Sequence, residues 1–188
     1  MSNSTAAAVF TTPDLDEALR VVRTLLEIAD LGNAEVDFEG VIRSPEGLAG
    51  VLRVLPGLDW WARRESGVRS AENGDDPAEW LPVALHDWCH PLDLAEPFVR
   101  ALHPQDAAVV RWDLNGWPGV PGAGLESISQ KYAYLTLSVY SRDLYQCERA
   151  PDHTVHVHVR GEYDADRVHW LAAQAGGRFD GRTELAPL

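Results

Sequence analysis

Three of the chain's seven histidines stand within six residues, in His153-Thr-Val-His-Val-His-Val-Arg160. Imidazoles at that density could ligate a metal or move protons, chemistry that needs several rings converging on one point. Valines 155, 157 and 159 alternate with His156, His158 and Arg160, the period of a strand with one apolar and one polar face. Alternation puts His156 and His158 on one side and His153 on the other. Two rings are half a metal site, so neither a metal nor a cofactor is expected. The simpler expectation is a polar strand face meeting solvent or a partner, and gaining charge below the ordinary histidine value of about 6.5. A ligand-binding alternative adds Tyr134 from another predicted strand, giving a sheet-face pocket of Tyr134, His156 and His158.

Extending the pair to Glu162 gives His-x-His-x-x-x-Glu, which resembles the first half of a cupin metal motif over those three residues. The glycines expected on either side are absent and a helix signal begins at Asp164, so the chain is not assigned to that family. His86-Asp87-Trp88-Cys89-His90 sets a thiol between histidines, but neighbours on a strand point apart, and a buried structural cysteine is the expectation there. The glycines of Gly116–Gly124 match no phosphate-cradling pattern. That loop, with Trp117, reads as a surface connector. No G-x-S-x-G elbow occurs, and no zincin, Walker or dinucleotide signature. Lys131 stands alone against fifteen arginines, and Cys89 and Cys147 form no CxxC pair.

Composition fits an acidic surface kept for solubility alone, and it also suits binding. The net charge is −13 over 188 residues and the pI is near 4.8. Such a surface repels phosphate backbones and anionic lipid, so neither nucleic acid nor membrane is an expected partner. A basic protein is. Seven tryptophans exceed what one core face needs, and aromatics beside carboxylates suit a partner surface. The candidate contacts are Trp60, Trp61, Glu65, Glu72, Asp75, Asp76, Glu79 and Trp80. Small, acidic, cytoplasmic inhibitors and immunity proteins share this character, an analogy of character alone. The expected function is a non-catalytic intracellular protein-binding domain of bacterial type. A small enzyme or small-molecule binder at the sheet-face pocket is the competing expectation.

The elements that must position these residues are legible in outline. Asp14 caps a helix whose apolar stripe runs Leu15, Ala18, Leu19, Val22, Leu25, Leu26, Ala29. Residues 35–43 alternate as a strand, and Ser44-Pro45 opens a second helix. Strands are predicted near 58–64, 80–88, 108–114, 127–141, 153–160 and 178–185, with helices over 93–102 and 164–175. The sum is one α+β domain: a twisted, mainly antiparallel sheet with three or four packed helices. Residues 1–12 read as a flexible leader. Val36–Gly40 and Val157–Gly161, each followed by a helix and a strand, suggest two ferredoxin-like halves, 13–103 and 104–188. The predicted core is Leu19, Val22, Leu26, Phe38, Leu52, Val110, Leu135, Leu137, Val157 and Leu171.

Overall fold

A computed structural model describes residues 5–65, 67–129, 133–146, 148–159, 164–179 and 181–186. Lys131, Tyr132, Cys147, Arg160 and Glu162 lie outside them. In chain order the strands and α-helices are β1 (Thr5–Thr12), α1 (Leu15–Ile28), β2 (Glu35–Ile42), α2 (Pro45–Val54), β3 (Trp60–Arg64), β4 (Gly67–Ser70), β5 (Val83–His90), α3 (Ala95–Ala101), β6 (Ala107–Asp113), β7 (Gly116–Trp117), β8 (Ile128–Ser129), β9 (Tyr134–Ser141), β10 (Arg149–Val159), α4 (Ala165–Gln174) and β11 (Thr183–Leu185). Nine strands form one sheet in the order β11-β1-β10-β9-β6-β2-β5-β3-β4, and β7 pairs with β8 apart from it. Every neighbouring pair is antiparallel. The fold is α+β, as the periodicities imply.

Alternation along the strands sorts their side chains onto two faces. Val36, Phe38 and Ile42 of β2, Val110 and Trp112 of β6, Leu135 and Leu137 of β9, and Val155 and Val157 of β10 share one core cluster with residues of all four helices. α1 contributes Leu19, Val22 and Leu25 after Asp14 accepts from the N–H groups of Asp16 and Glu17. α2 begins at Ser44, whose hydroxyl accepts from Gly47 N–H, with Pro45 in the first helical turn. Of the ten predicted core residues, Leu26 and Leu52 are only partly buried and pack against its rim. The other face of the sheet carries the polar residues.

Three sequence expectations are corrected. Residues 5–12 are no leader: β1 lies between β10 and β11, with Ala6, Ala7 and Val9 fully buried. The halves 13–103 and 104–188 do not separate either. β6 pairs with β2, and β1 is enclosed between β10 and β11, so a cut at 103 divides paired strands on both sides. The two similar strand–helix–strand stretches are crossovers that each skip one strand, β5 in one case and β1 in the other. Trp117 belongs to no surface loop; it is fully buried where β7 meets β8.

Candidate functional site

The sheet face opposite the helices has two different ends. At the β9–β10 end it is covered. Thr136, Ser138, Thr154, His156 and His158 are all buried there, and Leu144 of the β9–β10 connection is buried against the same region. Leu144 N–H donates to Glu184 of β11 at 3.1 Å, tying the connection to the sheet's far edge. This overturns the expectation that His156 and His158 meet solvent. His156 is fully buried, with Nε2 at 3.6 Å from Glu184 Oε1, an ion-pair distance beyond a normal hydrogen bond. His158 is 2% exposed and its Nε2 lies 2.6 Å from the Thr136 hydroxyl. Burial, then His156 and Arg111, push the His158 ring down to about 3, so at neutral pH it is an uncharged hydrogen-bonding group. Its Nδ1 and both nitrogens of His156 have no hydrogen-bond partner among the described residues. His153 faces the helix side opposite Val139, beside the Tyr140 ring.

Centrally, β2 and β6 carry a charged triad. Arg111 donates to Asp37 Oδ2 at 2.6 Å and to Asp113 Oδ1 at 2.9 Å. Burial works against the Arg111 charge, yet Asp113 and Asp37 overcome it and hold the guanidinium above its usual value. Burial pushes Asp113 up, and Arg111 offsets only part of that because Asp37 and Glu35 add like charge. Tyr134 packs edge-on to His158, with Arg111 near its ring at 5.5 Å. Its phenol is raised by burial first and Asp113 second. Tyr134 and His158 therefore do come together, while His156 is turned towards Glu184.

Beyond the triad the face opens. The β2–β5 pairing slips between Asp87 and His90, and Cys89 takes φ +60° at that irregularity. Its N–H donates to Asp37 Oδ1 at 2.9 Å. Cys89 is exposed, against the expectation of burial. The hydrogen bond of its thiol to Glu35, then the Glu35, Asp37 and Asp113 charges, raise its ionisation above the ordinary thiol value. A thiol so held is a poor nucleophile. Its reaction with a disulfide reagent should therefore run slower at pH 8 than that of a free peptide cysteine, with a rate–pH midpoint above the peptide's. A faster reaction than the peptide's would contradict this environment.

The open end presents Trp88 at 57% and Trp61 at 50% exposure. Trp61 sits opposite Ala84 of β5, and Ala84 opposite Val41 of β2, which shares the face of Glu39. Val68 of β4 is exposed on the same side, opposite Arg63. His86 buttresses Trp88 edge-on, ring centroids 4.2 Å apart. Trp60 points the other way and is 2% exposed in the core, so it leaves the set of contact residues. Adjacent positions on a strand could not both be surface anchors. Trp80 is half-buried, with Arg64 at 4.7 Å and Arg69 at 5.4 Å over its ring. Of the acidic loop, Asp75 pairs with Arg69 and Asp76 caps a short turn. Glu65, Glu72 and Glu79 are exposed beside the β3–β4 edge.

A cavity of about 30 Å³ lies between these regions, lined by Asp37, Glu39, His86, Trp88, Arg111 and His158 among others. That is about one water's share of liquid volume, far below the few hundred Å³ of a drug-sized ligand site. A larger groove of about 870 Å³ runs past Arg142, Glu148, Thr154 and Glu184, and none of Tyr134, His156 or His158 lines it. No group of three or more histidine, cysteine, aspartate or glutamate side chains with metal-binding geometry occurs among the described residues. No helix among them is long and apolar enough to cross a membrane.

Comparison with protein-family models, with curated proteins and with solved structures found no match to this chain.

Glu39 and Arg111 line the candidate site without being nominated from sequence, and His86 and Trp88 were weighed there only as part of a thiol–histidine stretch. Glu39 and Arg111 each lie in an alternating strand, where a charge reads as an ordinary solvent-facing position. The available signal was their register: two polar positions on adjacent strands beside a Trp-His pair.

Proposed function

We propose that this chain is a non-catalytic protein-binding domain that presents the open end of its sheet to a basic partner. The observation that carries the reading is the exposure of Trp61 and Trp88 on one sheet face, with Val68 beside them. Tryptophans anchor interfaces because each buries a large rigid area at little conformational cost. Glu39 stands between them and the charged triad, and Glu65, Glu72 and Glu79 edge the β3–β4 margin, so the surround is acidic. A net charge of −13 adds long-range attraction for a basic protein. Small acidic inhibitors of basic proteins work by such surfaces, and the chain is read as one of that type. The competing small-molecule reading is weakened by the size of the cavity at Tyr134 and His158 and by the burial of His156.

The test is affinity capture from extracts of the producing cells, with wild type beside a Trp61→Ala/Trp88→Ala double variant. The expected result is a protein of basic pI retained by wild type. Its affinity should fall at least about tenfold in the variant and drop as salt is raised through about 0.5 M. Both side chains are surface-exposed, so the variant should keep its fold. Equal capture by the two proteins would contradict the reading.

A further inference from the structure

Glu39 is the one carboxylate in the wall of the open-face cavity that nothing uses. Asp37 is occupied by Arg111 and by the Cys89 N–H. Glu39 lies on β2 between His86 of β5 and Val109 of β6. It is exposed, and among the described residues it has no ion-pair or hydrogen-bond partner. An unpaired surface carboxylate is ordinary by itself. A second observation distinguishes this one: His158, 2% exposed, lines the same cavity and its Nδ1 has no hydrogen-bond partner among the described residues. With Nε2 engaged by the Thr136 hydroxyl, Nδ1 is the ring nitrogen of this cavity residue left without a partner among the described residues. Leaving such an atom unpaired costs free energy that a ligand donor or an ordered water recovers.

The third component is Trp88, held edge-on by His86 and 57% exposed at the mouth. An indole face and a free carboxylate, beside a buried ring that carries no charge, together match a planar cation carrying several N–H donors. Arg111 does not oppose such a ligand, because Asp37 and Asp113 outnumber it and Glu39 adds a further negative charge. Carboxylate pressure on this region also appears in Cys89, whose thiol is held protonated by its hydrogen bond to Glu35 and by the Glu35, Asp37 and Asp113 charges.

We infer that the cavity bounded by Trp88, His86, Glu39 and His158 is a receptor for a single arginine side chain of the basic partner. The guanidinium stacks on Trp88 and donates to Glu39, and its tip displaces the one water the cavity has room for. This rests on the docking reading above and names the contact that would give it specificity. Lysine fits less well, since a compact ammonium can neither stack on an indole nor bond a carboxylate through two parallel N–H groups.

The experiment is a titration of the full-length, isotope-labelled protein with N-acetyl-arginine methylamide, read by NMR. The lysine amide and the neutral citrulline amide are titrated in parallel. The arginine amide should shift the Trp88 indole N–H saturably, the lysine amide should bind several-fold more weakly, and citrulline should give no saturable shift. Glu39→Gln should weaken arginine binding about tenfold while leaving the rest of the spectrum in place, and Leu31→Ala, at an exposed residue outside the docking face, should leave arginine binding unchanged. Equal binding of arginine and citrulline, or arginine shifts at residues 65–79 instead of Trp88, would overturn the assignment. So would an unaltered affinity in Glu39→Gln. If arginine fails at Trp88 while partner capture still depends on Trp61 and Trp88, the receptor falls and the docking face stands. Arginine binding at Trp88 without any partner capture would reverse that outcome.

Discussion

Lowering the pH from 6.5 to 3 is expected to remove about 4 kcal/mol of folding stability through His158 alone. The folded ring is depressed from 6.5 to about 3, so between those values the unfolded chain binds a proton that the folded chain refuses. Stability from this group is complete above the unfolded value and is lost as the pH falls towards the folded one. The slope approaches about 1.4 kcal/mol per pH unit, one proton's worth. Groups facing the ring are Thr136, His156, Tyr134 and Arg111, and none is a carboxylate in contact that would stabilise an imidazolium. Urea unfolding midpoints at a series of pH values, for wild type and His158→Gln, test this. Glutamine can keep a bond to Thr136 but cannot titrate, so carboxylate effects common to both proteins cancel in the difference. Wild type should lose more stability than the variant below pH 6.5, by about the stated slope. Parallel curves would contradict it. Partner binding should also show no transition near pH 6 from His158, the reverse of what an exposed histidine strand would give.

Replacing Asp106 by alanine is the second large change, expected to cost about 3–5 kcal/mol. Its carboxylate, fully buried at the start of β6, accepts from the N–H groups of Arg43 (2.7 Å), Ser44 (3.0 Å) and His103 (3.0 Å). It also accepts from the Ser44 hydroxyl at 3.0 Å. One side chain thus ties the β2–α2 turn to the α3–β6 turn, and it holds the residue that caps α2. Alanine would strand three backbone donors away from water. Gly47 belongs to the same arrangement, since a Cβ there would meet the Asp106 carboxylate and the Ser44 hydroxyl at contact too close to keep. Because β2 and β6 carry Glu39 and Arg111, the variant should weaken partner binding as well as lower the thermal midpoint. Asp106→Asn, which keeps one acceptor oxygen, should lose less. Equal stability of wild type and Asp106→Ala in thermal unfolding would contradict the role given to these bonds.

Local signals carried most of the fold. The caps at Asp14 and Ser44 and the alternations of β2, β6, β9 and β10 depend on neighbours in sequence, and they place the elements within a few residues. Strand order was out of reach, because the pairing of β6 with both β2 and β9 depends on contacts across the whole chain. β1 reads as a leader because Thr5–Thr12 carries small residues and no clean alternation, and its place in the sheet is set by pairing with β10 and β11, far away in sequence. The predicted 127–141 strand is broken for a related reason: Ile128 and Ser129 pair with β7, whereas Tyr134–Ser141 joins the main sheet.

The candidate docking face was legible by composition and not by place. An acidic surface with tryptophans was expected, and Trp61 with the exposed Glu65, Glu72 and Glu79 does lie at the open end. Trp60 was miscounted because the pair Trp60-Trp61 shows that one ring faces inward without saying which. The histidine pair was located on the correct strand and face, yet polarity suggested solvent where the fold supplies Leu144 and Glu184 as cover. A connection folding back over a sheet leaves no trace in strand periodicity.

Hydroxyl-radical footprinting of the captured complex tests the docking face most directly, since it reports each exposed aromatic side chain separately. In the free protein Trp61 and Trp88 should both label readily, as should Leu31, exposed on another part of the surface. Addition of the basic partner should protect Trp61 and Trp88 several-fold and leave Leu31 unchanged. Protection of Leu31 or of the helices, with both tryptophans labelled as before, would place the partner elsewhere and contradict the docking face.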